Sequence, residues 1–262
     1  MKPVIGVIGG GNMGSAIISG VYKHFPVRVC ELDPRRVRDL KRRFRITVGD
    51  FKSVVDQSHV ILLAVKPQGF EELLEQLRPL VGRDKLLISI AAGITCSYIE
   101  KRLGKGIRVI RTMPNLPAQV GMGMTGVCQG KSATLTDLTL ACEIFNHIGK
   151  TVVVEEKWMD TITAVSGSGP AYVFLFVECF ENAARRLGLK EEMVKLLVTQ
   201  TLKGSLALLE SQKDEAYVLR TRVTSKGGTT QAAMDVFLKN KIERIFEHAL
   251  KAARDRAREL SR

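Results

Sequence analysis

Short apolar runs alternate with charged or amphipathic stretches through the first part of the chain. The runs that predict buried strands lie at residues 4–8, 27–32, 59–65, 85–92 and 108–114. Helical spacing lies between them, as in the amphipathic stretch GFEELLEQLRPL (69–80) and the charged stretch DPRRVRDLKRRF (33–44), which opens with an Asp-Pro helix start. This alternation predicts an α/β fold of the doubly wound type, with a mainly parallel sheet covered by helices on both faces.

The pattern changes near residue 160, where strand-like runs give way to long helical patterns. These helical patterns occupy residues 170–189, 191–210 and 242–260. Several of the helices are apolar over a wide face, so we expect them to bury one another across a dimer interface as well as within one chain. The sequence therefore predicts a sheet-containing domain over residues 1–157 and an all-α domain over residues 158–262.

A glycine-rich turn follows the first predicted strand and precedes a helical pattern. The segment VIGGGNMG places G-x-G-x-x-G at Gly9, Gly11 and Gly14. In this motif the first glycine permits a tight turn, the second lets the backbone approach a pyrophosphate, and the third lets the helix pack closely on the strand. An acidic residue, Glu31, stands about twenty positions later, as the dinucleotide-binding fingerprint requires. The first domain is therefore predicted to be a Rossmann-type domain that binds a dinucleotide.

The choice between NADH and NADPH stays open on the sequence. Glu31 at the end of the second predicted strand suits a ribose 2′-hydroxyl and repels a 2′-phosphate. Arg35 and Arg36 follow closely, and guanidinium groups suit a phosphate well. Because these signals conflict, both cofactors remain alternatives.

Overall composition changes this picture little. The 262 residues include 40 Lys and Arg against 27 Asp and Glu, a formal net charge of +13 that favours anionic ligands. Aromatic residues make up only 6% and the sequence shows no nucleic-acid module, so no nucleic-acid partner is expected. Five dispersed cysteines predict reduced thiols in a cytoplasmic protein, and the four histidines lack ligand spacing, so no metal is predicted. The sequence has no uninterrupted run of eighteen apolar residues, so no membrane span is expected.

Six motifs in order resemble those of the pyrroline-5-carboxylate reductase family. They are VIGGGNMG, LLAVKPQ, SIAAGIT, RVIRTMPNLPAQVGMG (108–123), DTITAVSGSGPAYVF (160–174) and VTSKGGTTQAAM. The resemblance implies an NAD(P)H-dependent reduction of 1-pyrroline-5-carboxylate to L-proline, the last step of proline biosynthesis. It also implies a helical dimerisation domain, a homodimer or a higher oligomer of dimers, and a substrate pocket between the domains to which a partner chain contributes.

The resemblance assigns candidate site residues by position. Those implied to bind the cofactor are Ile8, Gly9, Gly10, Gly11, Asn12, Met13, Asp33, Ala64, Val65, Lys66, Pro67, Ala91, Ala92 and Gly93. Those implied to bind substrate are Glu156, Gly228, Thr229 and Thr230. Thr230 is the implied catalytic hydroxyl, next to the imine nitrogen or the carboxylate. For Glu156 the alternative is an ordinary exposed acidic residue near the domain boundary.

Two helix-breaking, hydroxyl-bearing gaps fit this chemistry. In TSKGGTT (224–230), Gly227 and Gly228 are expected to expose backbone N–H groups while Thr229 and Thr230 cap the next helix, which makes a cradle for a carboxylate. The second gap is SGSGP (166–170).

Other interpretations predict different features. A 3-hydroxyacid dehydrogenase needs a lysine on the first long helix of its second domain, and residues 162–184 contain none. A dinucleotide-sensing regulator would keep the glycine-rich turn but would not need the gap at 224–230.

Overall fold

The computed structural model describes residues 2–261, which divide into two compact units. The first unit runs up to Pro170 and includes the chain from Ala252 onward, and the second unit is Ala171–Lys251. The predicted domain boundary after residue 157 follows the change of sequence pattern and stays a prediction.

The first unit is built on one sheet. Within residues 2–261 the strands are β1 Ile5–Ile8, β2 Val27–Cys30, β3 Thr47–Val48, β4 Val60–Leu63, β5 Leu86–Ser89, β6 Arg108–Met113, β7 Gly123–Gln129 and β8 Gly149–Val153. Their order is β3-β2-β1-β4-β5-β6-β7-β8, and every neighbouring pair is parallel except β6 and β7. The predicted Rossmann-type, mainly parallel sheet is confirmed.

Helices connect and follow the strands. The α-helices of the described chain are α1 Asn12–Val21, α2 Pro34–Arg43, α3 Phe51–Asp56, α4 Phe70–Leu77, α5 Cys96–Leu103, α6 Leu135–Asn146, α7 Met159–Ile162, α8 Gly169–Arg186, α9 Glu191–Ser211, α10 Ala216–Arg222, α11 Thr229–Lys239 and α12 Ile242–Leu260. Short 3-10 turns lie at Pro67–Gly69, Leu116–Val120 and Glu156–Trp158, and a π-helical turn at Thr163–Gly167.

The sheet separates two apolar layers. Along β4, Val60 and Leu62 pack into one buried cluster, while Ile61 and Leu63 pack into another on the opposite face. All of these side chains are 0 or 1% exposed. Strands of a parallel sheet are covered on both faces, which is why these segments read as continuous apolar runs in the sequence.

The helices of the second unit bury far less. No residue of α8, α10 or α11 is fully buried in the described chain, and α9 buries Val194 and Val198. Large apolar side chains stay exposed in the single chain, such as Phe174 at 58% and Leu196 at 70%. An apolar surface of this extent marks an interaction site.

Within residues 2–261, one helical stretch is long and apolar enough to span a membrane by length and composition alone. This stretch is Glu156–Arg186, with a mean hydropathy of 1.3 in its most apolar window, of which 11% is buried. Helices that pack on another chain pass the same test, so this finding is weak evidence for a membrane span. No membrane span was expected from the sequence because that criterion required an uninterrupted apolar run, and Glu178 and Glu181 interrupt this stretch.

Some elements differ from the sequence prediction. Strands β3, β7 and β8 were not predicted, because β3 has two residues and β7 (GMTGVCQ) carries two glycines and a buried threonine. The expected helix break at residues 166–170 is also wrong, since α7 continues through the π-helical turn into α8. A π-helical turn absorbs an extra residue without interrupting the helix, and such turns are frequent at functional sites.

Candidate functional site

Several predicted cofactor segments meet at one edge of the sheet. Ile8 at the end of β1 pairs with Leu63 at the end of β4, which in turn pairs with Ser89 at the end of β5. The segments that follow these strands are therefore neighbours: residues 9–13, 64–67 and 91–93. Ligands of doubly wound sheets bind outside the carboxyl ends of the strands. Ile8 itself is 5% exposed and packs in the core, so only its backbone is available to a ligand.

The glycines of the first turn have different surroundings. Gly9 has a φ of +101°, and a Cβ there would lie 2.6 Å from the carbonyl oxygen of Ala64. A Cβ on Gly14 would run into the carbonyl oxygen of Gly9. A Cβ on Gly11 would meet only the Arg36 guanidinium, at 3.6 Å. Gly9 and Gly14 are thus required by the fold, whereas the space beside Gly11 is open to a ligand.

The N-terminus of α1 is arranged for an anion. Its N-cap, Gly11, supplies no side-chain hydrogen bond, and the first intrahelical bond runs from Ser15 N–H to the Gly11 carbonyl at 2.8 Å. The N–H groups of Asn12, Met13 and Gly14 precede that bond and lie at the positive end of the helix dipole. This is the arrangement that binds phosphates in dinucleotide sites.

Glu31 holds the turn in place. Its carboxylate accepts hydrogen bonds from Gly10 N–H at 2.7 Å and from Asp33 N–H at 2.9 Å, and its side chain is 8% exposed. Asp33 in turn caps α2 by accepting from Arg35 N–H at 2.8 Å. Both acidic side chains therefore already have structural hydrogen bonds from the backbone.

A cavity of about 530 Å³ lies between the glycine turn and α2. Gly10, Gly11 and Asn12 line it on one side, and Arg35, Arg36 and Arg43 line it with positive charge. Asp39 also lines it, and its carboxylate is paired with Arg42 and Arg43. Because Gly11 has no side chain, the cavity stays open next to the turn. The cavity and the turn therefore fit the phosphates of a dinucleotide.

The other two segments lie beside this turn. Lys66 is exposed and N-caps the 3-10 turn Pro67–Gly69, while Ala64 and Val65 are half-buried. Gly93 has a φ of +73°, and a Cβ there would lie 2.6 Å from the carbonyl oxygen of Leu260. The small side chains at this edge of the sheet thus leave space above the strand ends. Gly93 is also required for packing against the end of α12.

Glu156 belongs to a partly buried ionic network centred on Arg111. Its Oε1 accepts from Cys96 N–H at 2.7 Å, at the start of α5, and from Arg111 Nη1 at 3.3 Å. Arg111 is 3% exposed and makes a second ion pair with Asp160 at 3.5 Å. Sequence reasoning did not identify Arg111 or Asp160. The available signal was Arg111 itself, an arginine within an apolar strand, because an arginine buried in a sheet needs a partner.

Asn115 is a further polar residue that the sequence reasoning missed. Its amide donates to Ser166 carbonyl at 3.1 Å, and its Oδ1 accepts from Met124 N–H at 2.8 Å. The residue therefore ties the end of β6 to the π-helical turn. In that turn Thr163 donates its hydroxyl proton to Met159 carbonyl at 2.8 Å, so this hydroxyl is already used.

The turn before α11 differs in detail from its prediction. Gly228, with φ −83° and ψ 173°, is the N-cap, so the expectation that Thr229 and Thr230 cap the helix is wrong. Gly228 N–H donates to Ser225 carbonyl at 3.0 Å, so this group is not exposed as expected. Gly227 adopts a φ of +73°, which glycine tolerates best. The first intrahelical bond comes from Ala232 N–H, and the N–H groups of Thr229 and Thr230 precede it.

Fold and site together define a class of protein. A doubly wound sheet whose first βα turn carries an uncapped, glycine-lined helix N-terminus is a dinucleotide-binding domain of the Rossmann type. The family model described as "NADP oxidoreductase coenzyme F420-dependent" matches residues 4–93, and the model "Pyrroline-5-carboxylate reductase dimerisation" matches residues 156–260.

Individual relatives identify the family. The chain is 36% identical to the pyrroline-5-carboxylate reductase of Vibrio alginolyticus, over 98% of this chain and 97% of the relative. A structure of a pyrroline-5-carboxylate reductase from Coxiella burnetii matches with a TM-score of 0.93 and 34% identity over 100% of both chains. The Plasmodium falciparum enzyme with NADP bound matches with a TM-score of 0.89 and 29% identity over 100% of both chains. The chain belongs to the pyrroline-5-carboxylate reductase family.

Proposed function

We propose that the protein reduces 1-pyrroline-5-carboxylate to L-proline with NAD(P)H. The observation that carries this proposal is the full-length identity to reductases of this name, at 36% over 98% of the chain for one of them. The glycine turn, the open α1 N-terminus and the arginine-lined cavity support the use of a dinucleotide. The overall change is one hydride to the C=N carbon and one proton on the nitrogen.

The bound dinucleotide supplies the hydride, and residues of the first unit hold it. In this proposal the backbone of Ile8 to Met13 binds the pyrophosphate, with Gly11 giving the closest approach. Next to them, the cofactor is lined by Ala64, Val65, Lys66, Pro67, Ala91, Ala92 and Gly93. The register of β1, β4 and β5 supports this assignment, because the segments that follow these three strands are neighbours at one edge of the sheet. Asp33 borders the adenosine end through its position before α2.

Substrate binding needs an anion site and a hydrogen-bond donor. The N–H groups of Thr229 and Thr230 at the start of α11 suit the substrate carboxylate, because they precede the first intrahelical bond. Gly228 precedes them as the N-cap, with an extended backbone. The Thr230 hydroxyl is the proposed donor to the imine nitrogen or carboxylate. Glu156 is the proposed second polar contact, and its ion pair with Arg111 holds the carboxylate in place.

The reaction is tested by following NADH and NADPH absorbance with 1-pyrroline-5-carboxylate. Substrate-dependent oxidation is expected, and its absence with both cofactors would overturn the proposal. Thr230→Val keeps the side-chain shape but removes the donor, so kcat/KM should fall about ten- to a thousandfold, as for other donors to a developing charge. Thr221→Val is the matched control, since the Thr221 hydroxyl donates to its own helix at Tyr217. An unchanged kcat/KM in Thr230→Val would remove that residue from the mechanism.

NADPH is the cofactor that the charge distribution favours. Both oxygens of Glu31 already accept backbone N–H groups, which leaves this carboxylate less available to a ribose hydroxyl. The guanidinium groups of Arg35, Arg36 and Arg43 line the adjacent cavity and suit a 2′-phosphate. We therefore place the 2′-phosphate of NADPH against α2.

Arg36→Ala tests this placement. The KM for NADPH should rise about tenfold or more, the size of a hydrogen bond to a charged group, while the KM for NADH changes little. Arg38→Ala is the control, because Arg38 is exposed on the same helix and does not line the cavity. An equal rise for both cofactors would contradict the placement.

Assembly and location complete the proposal. The family match at residues 156–260 and the exposed apolar helices support a homodimer, and association of dimers into a larger oligomer is part of the proposal. The five free cysteines support a cytoplasmic protein, and neither a membrane nor a nucleic acid is among the proposed partners. Light scattering and cell fractionation check the two statements, and a membrane-bound monomer would contradict both.

A further inference from the structure

Cys96, Cys128 and Glu156 come together although they are far apart in the sequence. Cys96 is the first residue of α5, Cys128 lies in β7, and Glu156 begins a 3-10 turn. Their sulfur and carboxylate oxygen atoms all lie within 4.8 Å of one another. We propose that these residues form a binding site for a thiophilic divalent cation of the Zn²⁺ class, separate from the dinucleotide site.

The distances suit such an ion after a small contraction. Zn–S bonds of about 2.3 Å in a tetrahedron separate two sulfurs by about 3.8 Å. The upper limit of 4.8 Å therefore requires atoms to approach by about 1 Å or less, which side-chain rotation can supply. Two thiolates and one carboxylate leave a fourth position for water, and thiolate donors select Zn²⁺ and Cd²⁺ over Mg²⁺ and Ca²⁺.

Burial gives the site a closed side and an open side. Cys96 and Cys128 are 2% and 1% exposed and belong to the apolar cluster on their face of the sheet. The Glu156 side chain is 33% exposed and lines a cavity of about 750 Å³ together with Trp158 and Val153. An ion would reach the site through Glu156, the one residue of the three that lines this cavity.

The surrounding charges tolerate the ion. Both hydrogen bonds to Glu156 use Oε1, so Oε2 can coordinate while Oε1 keeps its donors. Arg111 also pairs with Asp160, so its guanidinium stays neutralised when Glu156 is shared with a cation. Two thiolates, Glu156 and Asp160 carry four negative charges against three positive charges on the divalent ion and Arg111, so the network would keep a net charge of −1.

Binding exchanges protons for the ion. The ion displaces one proton from each sulfur and forms two metal–sulfur bonds, with no change of oxidation state.

Titration of the full-length reduced protein with Cd²⁺ tests the site. We expect one ion per chain, an ultraviolet thiolate-to-cadmium charge-transfer band, and a cadmium NMR shift typical of two sulfur ligands. Cys96→Ser and Cys128→Ser should each lower Cd²⁺ affinity at least about a hundredfold, the upper end of what even an outer partner of a metal site contributes. Glu156→Gln should weaken binding while the charge-transfer band remains.

Matched controls come from the other thiols. Cys142 is half-buried and Cys179 is exposed, and neither belongs to the cluster, so Cys142→Ser and Cys179→Ser should bind Cd²⁺ like the wild type. The cadmium NMR shift of the wild type reports the number of sulfur ligands directly. The proposal is therefore tested even if Cys96→Ser does not fold. A wild type without the band, or with a shift for one or no sulfur ligand, would overturn the proposal. So would loss of the band in the control variants alone.

Discussion

The two units of the molecule bury apolar surface in opposite ways. In the first unit the strands β1, β4 and β5 are buried at every position, and apolar clusters cover both faces of the sheet. In the second unit, α8 has no fully buried residue although it is among the most apolar segments of the chain. The first unit therefore contains its own core, whereas the second exposes the surface that would form one.

This difference explains where stability should come from. Hydrophobic burial contributes about 25 cal/mol per Å² of apolar surface removed from water, and an isolated helical unit with exposed phenylalanines gains little of it. Association of two chains through the dimerisation domain supplies the missing burial. We expect the first unit to be stable by itself and the second to depend on protein concentration.

Phe174→Asp should have the largest effect, because it should weaken the association on which the stability of the second unit depends. Phe174 is 58% exposed in the single chain, on the apolar surface of α8. A symmetric interface contains the residue twice, and a central aromatic contributes about 2 kcal/mol per copy. The total of about 4 kcal/mol weakens the dimer roughly a thousandfold. Analytical ultracentrifugation over a range of concentrations measures the change.

The control for this variant replaces an exposed leucine of the first unit. Leu135 is 75% exposed at the first position of α6, where an aspartate is favourable to the helix. Leu135→Asp should leave the dimer intact. If Phe174→Asp also remained dimeric at every concentration, the apolar surface of α8 would not be the interface.

Gly14→Val and Gly11→Val sharpen the comparison within the first unit. A Cβ on Gly14 runs into the backbone of Gly9, so we expect a loss of about 3 kcal/mol in the free energy of unfolding, independent of concentration. Gly11 has open space beside it, so Gly11→Val should change stability by less than about 0.5 kcal/mol.

Cofactor binding distinguishes the two glycines again. Gly11→Val should lose NAD(P)H affinity because its side chain occupies the space of the pyrophosphate. Urea unfolding and fluorescence titration of NADPH give the two quantities. Wild-type cofactor affinity in Gly11→Val would show that the pyrophosphate does not bind at this turn.

The same contrast shows what the sequence could predict. The five predicted strands were confirmed because a buried parallel strand leaves a continuous apolar run. Helix α12 was predicted at residues 242–260, its observed bounds, because long amphipathic patterns are the clearest signal. β7 escaped prediction, since its antiparallel pairing with β6 depends on partners distant in sequence and its glycines resemble a loop.

Site details depended on contacts that no local pattern encodes. The G-x-G-x-x-G spacing predicted the phosphate turn, but not that Glu31 would be occupied by Gly10 and Asp33. The Arg111–Glu156 pair joins β6 to a turn 45 residues later, and sequence spacing gives no sign of it. At the start of α11, hydroxyl residues after two glycines suggested threonine caps, whereas the extended backbone of Gly228 took that role.

The smallest expected effect is a pH dependence confined to the first unit. His147 stacks on His24 with ring centroids 3.9 Å apart. Burial, and then the charge of His24, lowers the pKa of His147. The unfolded chain binds this proton more readily, with an ordinary pKa of about 6.5, so stability should fall as the pH drops from there toward the lowered folded value.

His147→Gln should make this acid decline shallower by up to one proton. Urea unfolding at several pH values measures the slope, and two protein concentrations should give the same difference between variant and wild type, because the stacked pair lies in the unit with its own core. His248→Gln is the control, since His248 is exposed on α12 in the second unit. A slope that changes in the control but not in His147→Gln would place the acid sensitivity in the helical unit and reverse the expected contrast.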